Sequence, residues 1–590
     1  MEYRVIHTVS EAQELAYELP SIISLDTEYS ELNVRKAELL SISIGLSDNK
    51  AAIIRPHLLR YISESLKSRK IIFMQNFVVD YYMLAKNGCE LINYNILDVM
   101  LMHHLIDENA EHSLGYMANK YFQDNYKQEF WDKYESFAVA ETEDSNQYEM
   151  RDAVYTYRLG MQFLQQFDKR LELVNHVHRL AFSLMQTEVL GLRVNEDLIR
   201  RTRDETKQKI EGYEQRLRDE FSGACLVWEN GKWEEEKAKR KTDKGKQGVR
   251  KPVFSFTSAS QVSWLVYNYL NAPVIEKTKK GSPSTSFDTI KELSKQIPEL
   301  GTLVEYKDTR ALYEIFMEGL LERVESGRIY PRFNINGTTT GRISHSNPNM
   351  GNMPRDGVVR NFFIPEPGNV IIGADYSQLE VIVEANLTED KNLLSIILDG
   401  ASKHDITAEG LGLSRDQAKT LNFALQYGAG INKVSKILDI SYRDAEEVFE
   451  QYWALYNGVK QLKNKTDEMV LKNQPIVNIF GRERHFADKF DSKYELEKAK
   501  RQAYNFLIQG TGADITNRAF YLWHEYLKRT GRGRSWFHVH DECVGETRPE
   551  IAEDEKQALV KIMEGVTQYV KFKYPLLAAS YGPFDKWQKG

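Results

Sequence analysis

The sequence predicts a multidomain chain of mixed α/β and α+β class, on three observations. At 590 residues the chain is too long for one hydrophobic core, and a prior of roughly 150 residues per domain suggests about four units. Near the start, Ile22 to Leu25 is an apolar run ending in Asp26-Thr27-Glu28, and Leu39 to Ile44 alternates as a neighbouring strand would. Far downstream, Val370 to Glu380 and Trp536 to Glu546 read as two strands separated by a long helical insertion, delivering Asp375 and Asp541. Each alone reads as a core strand ending in a turn aspartate. Together, two carboxylates on two strands suit two-metal phosphoryl transfer.

Composition sets outer bounds. Hydrophobic residues at 42% and charged residues at 28% fit a soluble globular protein and exclude global disorder. No apolar run approaches the length that spans a bilayer, so no membrane partner is expected. The opening Met1-Glu2-Tyr3-Arg4 lacks the pattern of a signal peptide. Cys89, Cys225 and Cys543 are scattered, form no CxxC pair and support neither a disulfide framework nor a zinc site. A reducing cytoplasm is the expected location. The net charge of -7 does not exclude a nucleic acid, because such enzymes can concentrate cations along one groove.

In the first third, Asp26 and Glu28 share one face of their strand. Gln75-Asn76-Phe77-Val78-Val79-Asp80 follows, then Asp98 in a helical-looking stretch, then Tyr148-Glu149-Met150-Arg151-Asp152. Each acid alone reads as a solvated surface group. Gathered together, they would repel one another and raise their pKa values unless cations offset the cost.

The middle is helical, interrupted by Gly191-Leu192-Arg193-Val194-Asn195. Lys232 to Lys251 carries Lys237, Lys239, Arg240, Lys241, Lys244, Lys246, Arg250 and Lys251. It reads as a solvated loop or as a phosphate-gripping tip, and the two are compatible. Phe256-Thr257-Ser258 and Gln261 to Leu270 predict a capped helix. Thr340-Gly341-Arg342, with Pro348-Asn349 and Asn352, forms a polar, glycine-punctuated loop.

Further on, Arg415, Lys419, Phe423 and Tyr427 recur every four residues and form one helical stripe. Such a stripe is usually a buried face, but two cations at its start fit a triphosphate better than a core.

The ordered acids of the first third resemble the three-motif 3'-5' exonuclease of the ribonuclease H-like class. Asp375-Tyr376-Ser377-Gln378-Leu379-Glu380, the stripe and His540-Asp541-Glu542 resemble, in order, the motifs of family A DNA polymerases. The resemblance implies an exonuclease domain over 1–175 and a right-hand polymerase domain over 176–590. Within the latter the thumb would span about 200–330, the palm about 331–400 and 495–590, and the fingers about 401–494.

It implies metal-binding roles for Asp26, Glu28, Asp80 and Asp152, with the Tyr148 hydroxyl orienting the attacking water. At the polymerase site Asp375, Asp541 and the Tyr376 carbonyl would hold metal, flanked by Glu542 and His540. Arg415, Lys419 and His404 would meet the triphosphate, with Lys419 protonating the departing pyrophosphate. Phe423 would lie beside the sugar, Tyr427 near the templating base, and Gln378 and Glu380 at the nucleotide, with Glu380 as the sugar gate. Arg342, Arg501, Asn505 and Gln509 would touch primer and template.

Two Mg²⁺ at each site are implied, with Mn²⁺ as an alternative ion. The implied partners are primer-template DNA, dNTPs and a single-stranded 3' end; the chain is expected to act as a monomer, with any processivity factor unspecified. The chain opens almost directly on the exonuclease motif, so no 5' nuclease domain is expected, an arrangement resembling phage replicative polymerases working in a bacterial cytoplasm.

Glu380 and the fused exonuclease count against a single-subunit RNA polymerase. Intact Asp375, Lys419 and Asp541 count against a nuclease with an inert DNA-binding half. Ile382 stands where the family usually has Arg, Gly351 where it has Gln, and Ala424 where Gly is frequent. Drift compensated elsewhere is the simpler reading. The other is relaxed minor-groove inspection that admits a modified base such as 2-aminoadenine.

Overall fold

A computed structural model describes residues 1–31, 33–91, 95–137, 142–240, 252–354, 357–426 and 429–588. Two compact units emerge: Met1–Leu192 with Tyr330–Asn352 and Pro365–Gly590, and Arg193–Ile329 with Met353–Ile364.

The first unit contains two main sheets. One is built from β1 (Glu2–Ile6), β2 (Ile22–Tyr29), β3 (Leu39–Gly45), β4 (Lys50–Ile54), β5 (Ile71–Met74) and β6 (Ile96–Asp98), in the order β1-β4-β3-β2-β5-β6. β3 runs antiparallel to β2 and β4, whereas β2, β5 and β6 are mutually parallel. A sheet flanked by helices agrees with the α/β class expected for this part of the chain. Ile23, Leu25, Ile42 and Ile44 are fully buried, so the register of β2 is fixed by its apolar face and its acids stay together on the other.

Helices in this part of the chain include α1 (Val78–Lys86), α2 (Val99–Ile106), α3 (Tyr126–Lys133) and α4 (Thr142–Gln166). Gly160 lets α4 come close to β5, since a Cβ there would lie 2.3 Å from the Phe73 ring. Asp98 ends β6 and caps α2, accepting from the backbone N–H of Asn76, Phe77 and Met100. α5 (Leu171–Leu190) continues the unit.

The second sheet contains β7 (Val370–Tyr376), β8 (Gly533–Val539), β9 (Glu542–Thr547) and β10 (Ala578–Phe584), ordered β8-β9-β7-β10 and antiparallel throughout. Trp523, Trp536 and Trp587 are fully buried in this part of the chain. Helices in this part of the chain include α6 (Leu379–Thr388), α7 (Lys403–Leu411), α8 (Arg415–Gln426), α9 (Lys493–Asn505), α10 (Thr511–Thr530) and α11 (Ala552–Gly565). A π turn, Phe506–Gly510, links α9 to α10.

The second unit has its own core, which includes Leu217, Phe221, Phe254, Phe256, Ile290 and Leu303. Met353–Ile364 joins it through a bridge between Val194 and Phe363 and an Ile364 N–H bond to the Arg193 carbonyl. The helix expected over Gln261 to Leu270 is a short α segment, Ala259–Ser263, followed by a π turn, Trp264–Tyr269. Residues 241–251 of the basic run lie outside the described residues. Among the described residues, no helix is long and apolar enough to cross a membrane.

Candidate active sites

The N-terminal cluster forms where β2 meets α4. Asp26, Glu28 and Asp152 offer carboxylate oxygens that all lie within 4.8 Å of one another. The pairing of β2 with β3 is irregular between Glu28 and Tyr29, a local break of the kind that re-aims side chains beside a site. Asp80, from α1, stands beside the trio. Its Oδ1 accepts from the Thr27 N–H at 3.0 Å and from the Thr27 hydroxyl at 2.6 Å.

Burial and then the charges of neighbouring acids push Asp26 and Glu28 well above the usual carboxylate range. Burial likewise raises Asp80 to about 7, even though its bonds to Thr27 pull the other way. Clustered carboxylate oxygens whose ionisation is opposed by burial and by one another suit a hard divalent cation. Asp26, Glu28, Asp152 and Asp80 are the residues that would hold it.

A group that sequence reasoning missed completes the cluster. The Lys127 ammonium of α3 lies 2.8 Å from Asp152 Oδ2 and 2.8 Å from the Tyr148 hydroxyl. The preceding residue, Tyr126, donates to Asp152 Oδ1. An isolated lysine among 78 Lys and Arg residues carries no signal of its own.

At the C-terminal pair, register explains the juxtaposition. β7 pairs with β9 so that Asp375 faces Glu542, and the Tyr376 N–H donates to the Asp541 carbonyl at 3.2 Å. Asp541 thus sits in the tight turn between β8 and β9, against the end of the strand that carries Asp375. His540, in that turn, adopts φ 55°, and Gln378, just before α6, adopts φ 51°. Left-handed backbone in two non-glycine residues flanking one acid pair marks strain held by the surrounding fold. Glu542 accepts from the Tyr581 hydroxyl, and the Tyr376 hydroxyl donates to the Met563 carbonyl at 2.7 Å, which anchors the end of β7.

Arg342 and Glu380 meet directly, Nη2 to Oε1 at 2.6 Å. Burial raises the Glu380 carboxyl and the Arg342 guanidinium partly reverses it. The Arg342 loop is fixed from below: Asn517 donates to the Gly341 carbonyl at 3.1 Å, and Arg482 forms a two-point ion pair with buried Asp514 at 3.0 and 2.8 Å. Gly341 has φ +81°, and a Cβ there would lie 2.7 Å from Arg482 Nε. Gly341→Ala is therefore expected to destabilise the protein by about 1–3 kcal/mol, read as a lower urea midpoint.

On α8, Ala418, Leu421 and Leu425 are buried, and Arg415, Lys419 and Phe423 face out. Phe423 is 49% exposed, so the stripe is not a core face. Arg415 pairs with Asp405 at 2.8 Å. His404 Nδ1 accepts from the Asn422 side-chain amide at 3.1 Å, and its ring lies 5.8 Å from that of Phe423. Burial, followed by the charges of Arg415 and Lys419, holds His404 below its ordinary value. Tyr427 lies outside the described residues.

Arg501 and Asn505 lie on α9 and Gln509 within the π turn, all half-buried. Ile382 is 2% exposed, so its side chain packs in the core. Two residues on, Glu384 is buried and ion-paired with buried Lys403 at 2.8 Å.

Residues 230–589 match the model "DNA polymerase family A", and residues 3–168 match "3'-5' exonuclease". DNA polymerase I of Borreliella burgdorferi is 26% identical over 95% of this chain and 62% of its own length. The thermostable DNA polymerase I of Thermus aquaticus is 32% identical over 57% of this chain and 42% of its own. The chain thus spans less than two thirds of these relatives. A solved structure, the POL domain of Pol1 from M. smegmatis in complex with DNA primer-template and dNTP, superposes with a TM-score of 0.81 at 22% identity, covering 98% of this chain and 99% of that one. That likeness speaks to the fold.

Proposed function

Because the chain belongs to DNA polymerase family A, we propose that it extends a primer 3' end on a DNA template and trims mispaired 3' ends at a second site. The observation that carries the reading is the register of β7 and β9, which sets Asp375 against the turn that bears Asp541. In extension, the primer 3' oxygen bonds to the α-phosphorus of a dNTP, the bond to the β-phosphate breaks and pyrophosphate leaves. In trimming, a water oxygen bonds to the terminal phosphodiester phosphorus and the 3' oxygen departs. Divalent cations, which we take to be two Mg²⁺ at each site with Mn²⁺ as an alternative, would polarise the attacking oxygen and stabilise the departing one.

Around that chemistry the chain's own residues have separable roles. Asp375 and Asp541 would hold the cations, with the Tyr376 carbonyl as a further oxygen donor and Glu542 and His540 flanking. The outward face of α8 offers Arg415 and Lys419 to a triphosphate and Phe423 to a sugar, and His404 stands beside Phe423. Lys419 would give its proton to the departing pyrophosphate. Lys419→Ala is expected to slow single-turnover incorporation by about 10²–10⁴-fold, with a much smaller change in primer-template affinity.

Glu380 would exclude a 2' hydroxyl, with Gln378 beside the incoming nucleotide. Arg342, Arg501, Asn505 and Gln509 would touch primer and template. At the trimming site Asp26, Glu28, Asp80, Asp152 and Tyr148 would act on a single-stranded 3' end. Ordinary base pairs are the proposed substrates, with drift at Ile382 compensated elsewhere as the simpler reading. Primer extension with dNTPs and, separately, with rNTPs tests the reading. Full-length product from dNTPs alone supports it; extension by rNTPs alone, or by neither, contradicts it.

A further inference from the structure

Lys127 is tied to the nuclease site by contacts that the proposed chemistry does not use. It is the second residue of α3. Its ammonium lies 2.8 Å from Asp152 Oδ2, 2.8 Å from the Tyr148 hydroxyl and 4.7 Å from the centroid of the Tyr148 ring. Tyr126 occupies the other oxygen of Asp152. One helix therefore engages both oxygens of a carboxylate that belongs to the acid trio.

Two consequences follow from the chemistry of an ammonium. It has three hydrogens and no lone pair, so the Tyr148 oxygen accepts from Lys127 and the phenol's own hydrogen is directed elsewhere. The phenol is thereby set up as a donor. The ammonium also places a positive charge on Asp152, where a divalent cation would bind, so the two compete. The lysine stem can give way: its side chain is 26% exposed against 3% for Asp152. The cavity it shares with Asp26, Glu28, Asp80, Tyr148 and Asp152 measures about 500 Å³.

We propose that Lys127 is a positioning residue of the nuclease site, a resident ammonium that holds Tyr148 in its donating orientation and yields Asp152 when a divalent cation loads. This rests on the trimming reading above. It implies that Lys127 weakens metal binding while it speeds hydrolysis, a pair of opposite effects that a purely structural residue does not produce.

The test uses the full chain carrying Asp375→Ala, to remove a ligand of the second site, with Lys127→Met and Lys127→Arg added separately. Mn²⁺ affinity is read by titration, and single-turnover hydrolysis of single-stranded DNA at saturating Mn²⁺ is read alongside. Lys127→Met is expected to bind Mn²⁺ about tenfold more tightly and to hydrolyse about 10²-fold more slowly, with Lys127→Arg recovering most of the rate. Affinity and rate falling together, with no recovery by arginine, would mean a structural role and overturn the proposal, as would no change in either. If the parent chain proved inert on single-stranded DNA, the trimming reading would fall. The titration alone would then decide Lys127, with tighter binding by Lys127→Met in favour and unchanged or weaker binding against.

Discussion

Alanine at Asp541 is expected to lower primer extension by at least about 10³-fold while leaving trimming of single-stranded DNA intact, because several kcal/mol of charge stabilisation would rest on cations that this acid pair holds. Asp375→Ala should do the same. The backbone bond between the Tyr376 N–H and the Asp541 carbonyl does not involve the side chain, so the turn should survive the substitution. Asp541→Asn keeps the shape and removes the charge. A loss nearly as large as that of alanine would assign the effect to charge, and gel analysis of a 5'-labelled primer reads all three variants.

Replacing Asp26 and Glu28 together by alanine is expected to reduce hydrolysis of single-stranded DNA by at least about 10³-fold, with extension retained. Asp80, beside them, gives the metal-free protein a pH-dependent weakness. Asp80 has a folded pKa of about 7 against an ordinary value of 3.8, so the native state keeps a proton that the unfolded chain releases. Stability then falls as pH rises from about 4 toward 7, and the full penalty is present above 7. In EDTA, Asp80→Asn should melt several degrees above the parent at pH 8 and close to it at pH 4.5. Mg²⁺ should narrow the gap at pH 8 by stabilising the parent. An EDTA gap that does not depend on pH would contradict this account of the cluster.

Features carried by local pattern were legible in the sequence. The apolar runs before Asp26 and Asp375 became the strands β2 and β7, and alternation alone placed Asp26 and Glu28 on one face. The stripe on α8 was legible as a stripe, but only the burial of Ala418, Leu421 and Leu425 established that its other side faces out. Asp98, grouped with the other acids by its type, is a helix cap, a role that depends on backbone N–H groups at Asn76 and Phe77.

What was not legible arises from contacts distant in the chain. Lys127 reaches Asp152 across 25 residues from a helix with no motif. Arg342 and Glu380, expected to serve separately, form an ion pair. Ile382, where the family usually has Arg, is buried, and two residues on Glu384 pairs with Lys403 across 19 residues. The membership of Met353–Ile364 in the second unit rests on a bridge to Val194, which no local pattern announces.

Two separate acid sites on one chain, one for extension and one for trimming, should be separable by substitution. A 5'-labelled primer with a mismatched 3' nucleotide, followed over time on its template with dNTPs and Mg²⁺, tests it most directly. The unmodified protein is expected to shorten the primer and then extend it, Asp541→Ala only to shorten it, and Asp26→Ala with Glu28→Ala never to shorten it. Loss of shortening by Asp541→Ala, or failure of Asp26→Ala with Glu28→Ala to extend a fully matched primer, would contradict this expectation.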